Sequence, residues 1–154
     1  MNDKTVPAKH SINQKSIIEN DRYHTLKGIF CFYLPVMIIY KQFTFDSAHF
    51  LPNVPEGHKC RNVHGHTYHL TVYVDGKLKS HEGWVIDFGD LKAIVKPLVE
   101  QLDHAMLNDI PGLENPTAEL LAVYIWDNIK PQLPGLSKIE LKETPTSGVI
   151  YEGV

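Results

Sequence analysis

The chain has 154 residues, of which 43% are hydrophobic and 21% are charged, which is the composition of a globular domain and excludes a chain disordered throughout. Its formal net charge of −3 excludes a general electrostatic attraction to nucleic acid or to an anionic membrane. Nine histidines are many for this length, and two cysteines are too few for a disulfide framework. We therefore expect a metal site in a protein of a reducing compartment, the cytoplasm.

The N-terminal part of the chain precedes the predicted folded domain. Residues 1–28 are polar and lack helical or strand periodicity, which predicts a disordered tail. The apolar run Ile29–Tyr40 is interrupted by a proline and is too short to span a bilayer. Met37 lies in this run, directly before the first strand pattern. We expect Met37 to be the natural start, with residues 1–36 as a disordered extension and residues 37–154 as a single domain.

Two strands are predicted next in chain order. In the first, between Ile38 and Phe50, alternate residues share one face: Ile39, Phe43, Phe45, Ser47 and His49. The second covers 64–74, and its two faces carry different residues: His64, His66, Tyr68, Leu70, Val72 and Val74 on one, and Thr67, His69, Thr71 and Tyr73 on the other. Asp75-Gly76 then predicts a turn.

Two helices and two strands complete the chain. Asp87 is a favourable N-cap for the first helix, whose apolar stripe is Leu91, Ile94, Val95, Leu98 and Leu102. Pro97 predicts a bend or an interruption there. The second helix is predicted to begin near Asn115-Pro116-Thr117, with the proline in its first turn, and to end near Ile129.

Strands are then predicted at Ser137–Glu143 and Val149–Glu152, with a turn around 146–148 between them. The order ββααββ predicts the α+β class, with a four-stranded antiparallel sheet and two helices.

The sequence His64-Gly65-His66 is the clearest local indication of a metal site. Residues i and i+2 of a strand point the same way, so both imidazoles can converge on one ion, and the glycine adds no bulk on the opposite face. His49 ends the other strand on its apolar face and is the best third ligand. Three histidines without a fourth protein ligand are typical of a catalytic zinc with an open position. The alternative is that these histidines only make hydrogen bonds.

Cys60 is the second candidate for chemistry. It lies between Lys59 and Arg61, four residues before His64. Nearby cations stabilise a thiolate, so Cys60 is a candidate base or nucleophile. The alternatives are a buried, unreactive thiol and a fourth zinc ligand.

Asp103-His104 and Glu143 are further candidates. A carboxylate beside an imidazole suits a proton relay, although a helix-capping role also explains the pair. Glu143 shares the inward face of its strand with Ile139 and Leu141, where a carboxylate needs a partner. A ligand with two adjacent N–H donors would provide one, and so would a lysine or solvent at the strand end.

Eight short segments, from about Met37 to the C-terminus, follow one family pattern. They are Phe43–His49, Pro55–Cys60, His64–His66, Gly83–Phe88, Leu102–His104, Leu107-Asn108, Glu114–Glu119 and Lys142–Thr144. In this order they resemble the 6-pyruvoyl-tetrahydropterin synthase superfamily, most closely its bacterial carboxy branch of queuosine biosynthesis. The spacing Cys-x-x-x-His-Gly-His resembles that branch, because pyruvoyl members usually have a longer interval.

The resemblance implies a role for each candidate. The implied zinc ligands are His49, His64 and His66. The implied catalytic residues are Cys60 as proton acceptor, Asp103 and His104 as relay, and Glu143. The implied substrate-binding residues are Glu143, which would hold the pterin ring, and Thr117.

The resemblance also implies a fold, an assembly and a reaction. The fold is the tunnelling fold, or T-fold, in which subunits join their sheets into barrels with active sites between subunits; we expect a homo-oligomer, a hexamer. The reaction is the zinc-dependent conversion of 7,8-dihydroneopterin triphosphate to 6-carboxy-5,6,7,8-tetrahydropterin, acetaldehyde and triphosphate, with no nucleic-acid or membrane partner. The alternatives are a pyruvoyl-type synthase, which eliminates triphosphate without breaking the side chain, and a non-enzymatic scaffold that binds zinc or pterin.

Overall fold

The computed structural model describes residues 36–153 of the chain. Its strands are β1 (Val36–His49), β2 (His64–Lys77), β3 (Ala105–Met106), β4 (Leu136–Thr144) and β5 (Ser147–Tyr151). Its helices are α1 (Phe88–Leu102) and α2 (Ala118–Ile129), and short 3-10 turns lie at Lys59–Arg61 and Leu107–Asp109. The expected N-terminal extension lies outside the described residues except for Val36, which is already part of β1, and the start at Met37 stays a prediction.

The strands form one mixed sheet in the order β3-β1-β2-β4-β5. The pairs β1–β2, β2–β4 and β4–β5 are antiparallel, whereas β3 runs parallel to β1 opposite Ser47 and Ala48. The predicted four-stranded antiparallel sheet is therefore wrong in strand number and in one pairing. The α+β class with two helices is confirmed. A two-residue strand is too short to show an alternating pattern, which is why β3 escaped prediction.

Both helices contribute apolar stripes to one core against the sheet. The buried residues of α1 are Leu91, Val95, Leu98 and Leu102, and those of α2 are Leu121, Ala122, Ile125, Trp126 and Ile129. The sheet supplies Phe45, Tyr68, Leu70, Val72, Val74, Ile139 and Leu141. This core holds the ends of β1 and β2 in place, which is where the candidate histidines lie. Among residues 36–153, no helix is long and apolar enough to cross a membrane.

The predicted helix ends are largely confirmed, with two corrections. Asp87 caps α1 by accepting from the backbone N–H of Gly89 at 2.6 Å. Pro97 does not interrupt α1, which continues to Leu102. The N-cap of α2 is Thr117, so Pro116 precedes the helix instead of occupying its first turn.

The predicted turn at Asp75-Gly76 is wrong, because β2 continues through both residues. Asp75 pairs with Ile38 and Gly76 with Met37, so the long β1 extends the ladder past the expected turn. A Cβ at Gly76 would collide with the Val85 side chain. The glycine therefore serves close packing at this point and not a change of chain direction.

Candidate metal centre

Three imidazoles and one carboxylate converge at one end of the sheet. His49, the last residue of β1, pairs in register with His64, the first residue of β2, and His66 follows on the same face. Glu143 reaches them from β4. One ligand atom from each of these four residues lies within 4.8 Å of the others, so they can hold a metal ion, and we call them the metal-capable group.

Backbone carbonyls fix the tautomers of two of these histidines. His49 Nδ1 lies 2.9 Å from the Pro116 carbonyl oxygen, and His64 Nδ1 lies 2.8 Å from the Asn62 carbonyl oxygen. A carbonyl oxygen only accepts, so each Nδ1 carries the hydrogen and donates it. In the neutral rings each Nε2 is therefore left with a lone pair and no hydrogen.

These lone pairs meet the requirements of a cation site. The Nε2 atoms of His49 and His64 face each other at 3.1 Å, where two acceptors repel unless a cation or proton lies between them. His66 Nε2 is buried and has no hydrogen-bond partner within the described residues 36–153. Two nitrogens bound to one tetrahedral zinc at ordinary lengths would lie about 3.3 Å apart. The donor set and spacing thus fit a zinc-like cation.

Glu143 gives the cluster a negative charge. Its Oε1 lies 3.3 Å from His49 Nε2 and 3.1 Å from His66 Nε2, the latter contact lacking hydrogen-bond geometry. The neighbouring His49 imidazole lowers the pKa of Glu143 and outweighs the opposing effect of burial. Burial lowers the pKa of His66, against the opposing charge of Glu143. Metal ligands must be deprotonated, and the lowered pKa values of Glu143 and His66 both favour that state.

Gly65, between the two β2 histidines, packs closely against β1. A Cβ at Gly65 would lie 3.3 Å from the Ser47 carbonyl oxygen, closer than most such contacts. The Ser47 hydroxyl in turn donates to the Leu102 carbonyl oxygen at 2.6 Å, which ties the end of α1 to the same part of β1. The sequence argument that Gly65 removes bulk opposite the histidines agrees with this packing.

Cys60 lies outside the metal-capable group, on the turn that connects β1 to the histidines of β2. Its carbonyl oxygen accepts from the Leu51 N–H at 2.8 Å, and its own N–H donates to His58 Nδ1 at 3.2 Å. The residue is partly exposed and so is not a fully buried thiol, and it is not among the four residues whose ligand atoms converge. Arg61 donates to the Val54 carbonyl oxygen at 3.1 Å and thereby holds the loop.

Asp103 and His104 form a pair at the other edge of β1. His104 Nδ1 lies 3.0 Å from Asp103 Oδ2, and the side chains are 79% and 41% exposed, respectively. Asp103 Oδ1 accepts from the Asp46 N–H at 2.9 Å, and the His104 N–H donates to the Asp46 carbonyl oxygen at 2.6 Å. His104 has a φ of 55°, an uncommon conformation for this residue type that these contacts hold in place.

The structure does not join this pair to the metal-capable group. Within residues 36–153, neither Asp103 nor His104 makes a hydrogen bond or ion pair with His49, His64 or His66. Thr117 also has a local role, because its hydroxyl oxygen accepts from the Leu120 N–H at 3.3 Å as the α2 cap.

Sequence reasoning missed two features of the centre. Glu143 was expected to meet a pterin ring, and its proximity to the histidines was not anticipated, because sequence does not reveal that β4 lies beside β2. The Pro116 carbonyl that orients His49 was also missed. A proline before a helix cap leaves its carbonyl free to accept, but no sequence signal identifies the donor.

Comparison with known proteins places the chain among pterin-processing enzymes. A family model described as 6-pyruvoyl tetrahydropterin synthase matches residues 38–154. The chain is 48% identical to a 6-carboxy-5,6,7,8-tetrahydropterin synthase of Synechocystis sp., over 74% of this chain and 92% of that protein. It is 39% identical to a dihydroneopterin monophosphate aldolase of Pyrococcus furiosus, over 75% of this chain and 96% of that protein.

A solved structure shares the architecture. The 6-pyruvoyl tetrahydropterin synthase of Caenorhabditis elegans superposes with a TM-score of 0.75 at 26% identity, covering 80% of this chain and all of that one. The relatives thus carry three different activities on related sequences.

Proposed function

Because the chain belongs to the 6-pyruvoyl tetrahydropterin synthase family, we propose that it converts 7,8-dihydroneopterin triphosphate and water to 6-carboxy-5,6,7,8-tetrahydropterin, acetaldehyde and triphosphate, a step of queuosine biosynthesis. The identity of 48% to a relative named for this product supports the activity. The observation that carries the proposal is the convergence of three imidazoles beside a loop that bears a free thiol.

We assign zinc to this centre, with His49, His64 and His66 as its ligands. A zinc ion bound there supplies a Lewis acid that eases deprotonation of the hydroxyls of the substrate side chain. The fixed Nδ1–H groups of His49 and His64 keep the Nε2 lone pairs directed at the ion. Hydrogen-bond acceptors of the other ring N–H orient metal-binding imidazoles and raise their basicity.

Glu143 and Thr117 are proposed to bind the pterin. The contacts of Glu143 with the histidines are made by Oε1, which leaves Oε2 to accept from the N–H edge of the ring. Its lowered pKa keeps the carboxylate ionised, as this acceptor role requires. The Thr117 oxygen accepts within the α2 cap, so its hydroxyl hydrogen remains able to donate to substrate.

Cys60 is proposed to accept the proton from the side-chain carbon next to the ring, with His104 as the partner acid or base and Asp103 orienting it. The exposure of His104, 79%, leaves its ring free to meet a substrate held by another copy of the chain. This is consistent with active sites shared between subunits of a homo-oligomer, and we propose a hexamer located in the cytoplasm.

The free edges of the sheet support an assembly in which sheets continue from one subunit to the next, the T-fold arrangement proposed for residues 37–154. Among residues 36–153, β5 has a neighbour on one side only, and β1 meets β3 only opposite Ser47 and Ala48. Exposed apolar side chains lie on both edge strands, including Ile38 and Tyr40 on β1 and Ile150 on β5. Open strand edges of this kind are templates for pairing with another chain.

The rival activities are distinguished by their products. Zinc-loaded full-length protein is incubated with 7,8-dihydroneopterin triphosphate, and separately with the monophosphate, and the products are identified by mass. Acetaldehyde with a 6-carboxy product supports the proposal. A pyruvoyl product without acetaldehyde, or cleavage of the monophosphate alone, would assign the chain to one of the sister activities.

Variants separate the enzyme from a binding scaffold. Cys60→Ala is expected to abolish turnover while the zinc content stays at the wild-type level, because Cys60 lies outside the ligand group. His64→Ala is expected to lose both metal and activity. Zinc binding by the wild-type protein with no turnover of either substrate would favour the scaffold.

A further inference from the structure

The carboxamide of Asn108 connects two backbone segments beside the metal-capable group. Asn108 lies in the 3-10 turn Leu107–Asp109. Its Oδ1 accepts from the Phe50 N–H at 2.9 Å, and its Nδ2 donates to the Phe50 carbonyl oxygen at 2.9 Å and to the Glu114 carbonyl oxygen at 3.2 Å. One side chain thus satisfies both backbone groups of one residue and a third group on a separate loop.

The two segments are those that fix the orientation of His49. Phe50 directly follows His49, and Glu114 lies two residues before Pro116, whose carbonyl oxygen accepts from His49 Nδ1 at 2.9 Å. The carboxamide therefore holds the backbone next to the donor of this hydrogen bond and the backbone next to its acceptor. His49 itself is fully buried, so loss of the carbonyl would leave a buried N–H without its partner, which is costly.

We propose that Asn108 is a positioning residue of the metal centre: by bridging Phe50 and Glu114 it keeps the Pro116 carbonyl aligned with His49, and so fixes the Nε2 lone pair of His49 toward the ion. The inference rests on the zinc assignment of the proposed function. Only a primary carboxamide combines the acceptor and the two donors that this bridge uses. Aspartate retains the acceptor and loses both donors, whereas leucine of similar size loses all three bonds.

The test measures zinc affinity by competition with a chromophoric chelator, in the full chain, for wild type, Asn108→Asp and Asn108→Leu. We expect zinc binding to weaken about 10- to 100-fold, as when a group that supports a metal ligand is removed. Asn128→Asp is the matched control, because the Asn128 carboxamide makes an exposed hydrogen bond to the Tyr124 carbonyl oxygen within α2 and has no other acceptor among residues 36–153. This control is expected to bind zinc as wild type does.

A second readout distinguishes positioning from a general loss of stability. In wild type, ¹⁵N-edited NMR should show the His49 Nδ1–H as a slowly exchanging ring hydrogen, and in Asn108→Asp this signal should shift and exchange faster. Wild-type zinc affinity and an unchanged His49 signal in Asn108→Asp would overturn the proposal, even if the melting temperature fell. Should Asn108→Leu fail to fold, Asn108→Asp decides alone. Because neither readout involves turnover, an inactive wild type that binds zinc would refute the proposed reaction and leave this result standing.

Discussion

Removing one imidazole from the centre should raise the zinc concentration at which the protein gains stability. His66→Ala deletes the ring whose buried Nε2 lies 3.1 Å from Glu143 Oε1 and, in the described part of the chain, has no hydrogen-bond partner. An ion that binds only the folded state stabilises it by about 2.7 kcal/mol at a free concentration of 100 times the Kd. In His66→Ala two imidazoles remain, so the same gain requires more zinc.

The size of the effect follows from mass action. Above saturation, each tenfold increase in free zinc adds about 1.4 kcal/mol. For a domain the size of residues 36–153, Tm rises by about 3–5 °C per kcal/mol, so the wild type should gain about 4–7 °C per decade of zinc. Loss of a direct ligand should raise the zinc concentration at which this rise begins by at least the 10- to 100-fold expected for loss of a supporting group.

The assay is thermal unfolding in zinc buffers, with each variant compared with its own metal-free Tm. His69→Ala is the matched control, because His69 lies on the same strand but points to the opposite, exposed face. Its onset should equal that of wild type. The metal assignment is wrong if zinc leaves the wild-type Tm unchanged, or if His66→Ala and wild type respond at the same zinc concentration.

Two further predictions concern packing and charge. Gly76→Ala should destabilise the protein by about 1–3 kcal/mol in urea unfolding, because the added Cβ would collide with the Val85 side chain. Adding Val85→Ala to this variant should recover part of the loss. A double variant no more stable than Gly76→Ala would contradict this explanation. The pKa of Asp103 is lowered, first by the hydrogen bond from the Asp46 N–H and then by His104, and carboxyl ¹³C NMR should therefore show it titrating below its ordinary range. The contribution of Asp103 to stability is present above its pKa in the unfolded chain, about 3.9, and is lost as the pH falls through its lower pKa in the folded protein. Asp103→Asn should remove this pH dependence of stability. An Asp103 carboxyl that titrates at its ordinary pKa would refute the prediction.

The strand patterns were predictable where one face of the sheet is buried. In β1, β2 and β4 the alternation of apolar and polar residues is set by the core beneath the helices, so sequence locates these strands within a few residues. Asp75-Gly76 does not form the predicted turn, because the pairing of fourteen residues of β2 with β1 overrides the local turn propensity. β3 could not be predicted, since the strand conformation of its two residues depends on the contact of His104 with Asp46 and not on a local sequence pattern.

The histidines of the centre were predictable, but their surroundings were not. The i, i+2 spacing of His64 and His66 places them on one face in any strand, and His49 follows from the end of the neighbouring strand. The approach of Glu143 depends on β4 lying beside β2, which is a long-range pairing without a sequence signature. The separation of Asp103 and His104 from the cluster is likewise a consequence of topology.

The pairing of His49 with His64 has a consequence for the order in which the chain folds. These two histidines are 15 residues apart in sequence and meet when the β1–β2 hairpin closes, with His66 on the same strand as His64. Glu143 is about 80 residues from His66, and closing that longer loop costs about 1.5 kcal/mol more chain entropy. The three imidazoles therefore need only the local β1–β2 pairing to come together, whereas the carboxylate of Glu143 joins them only when β4 pairs with β2.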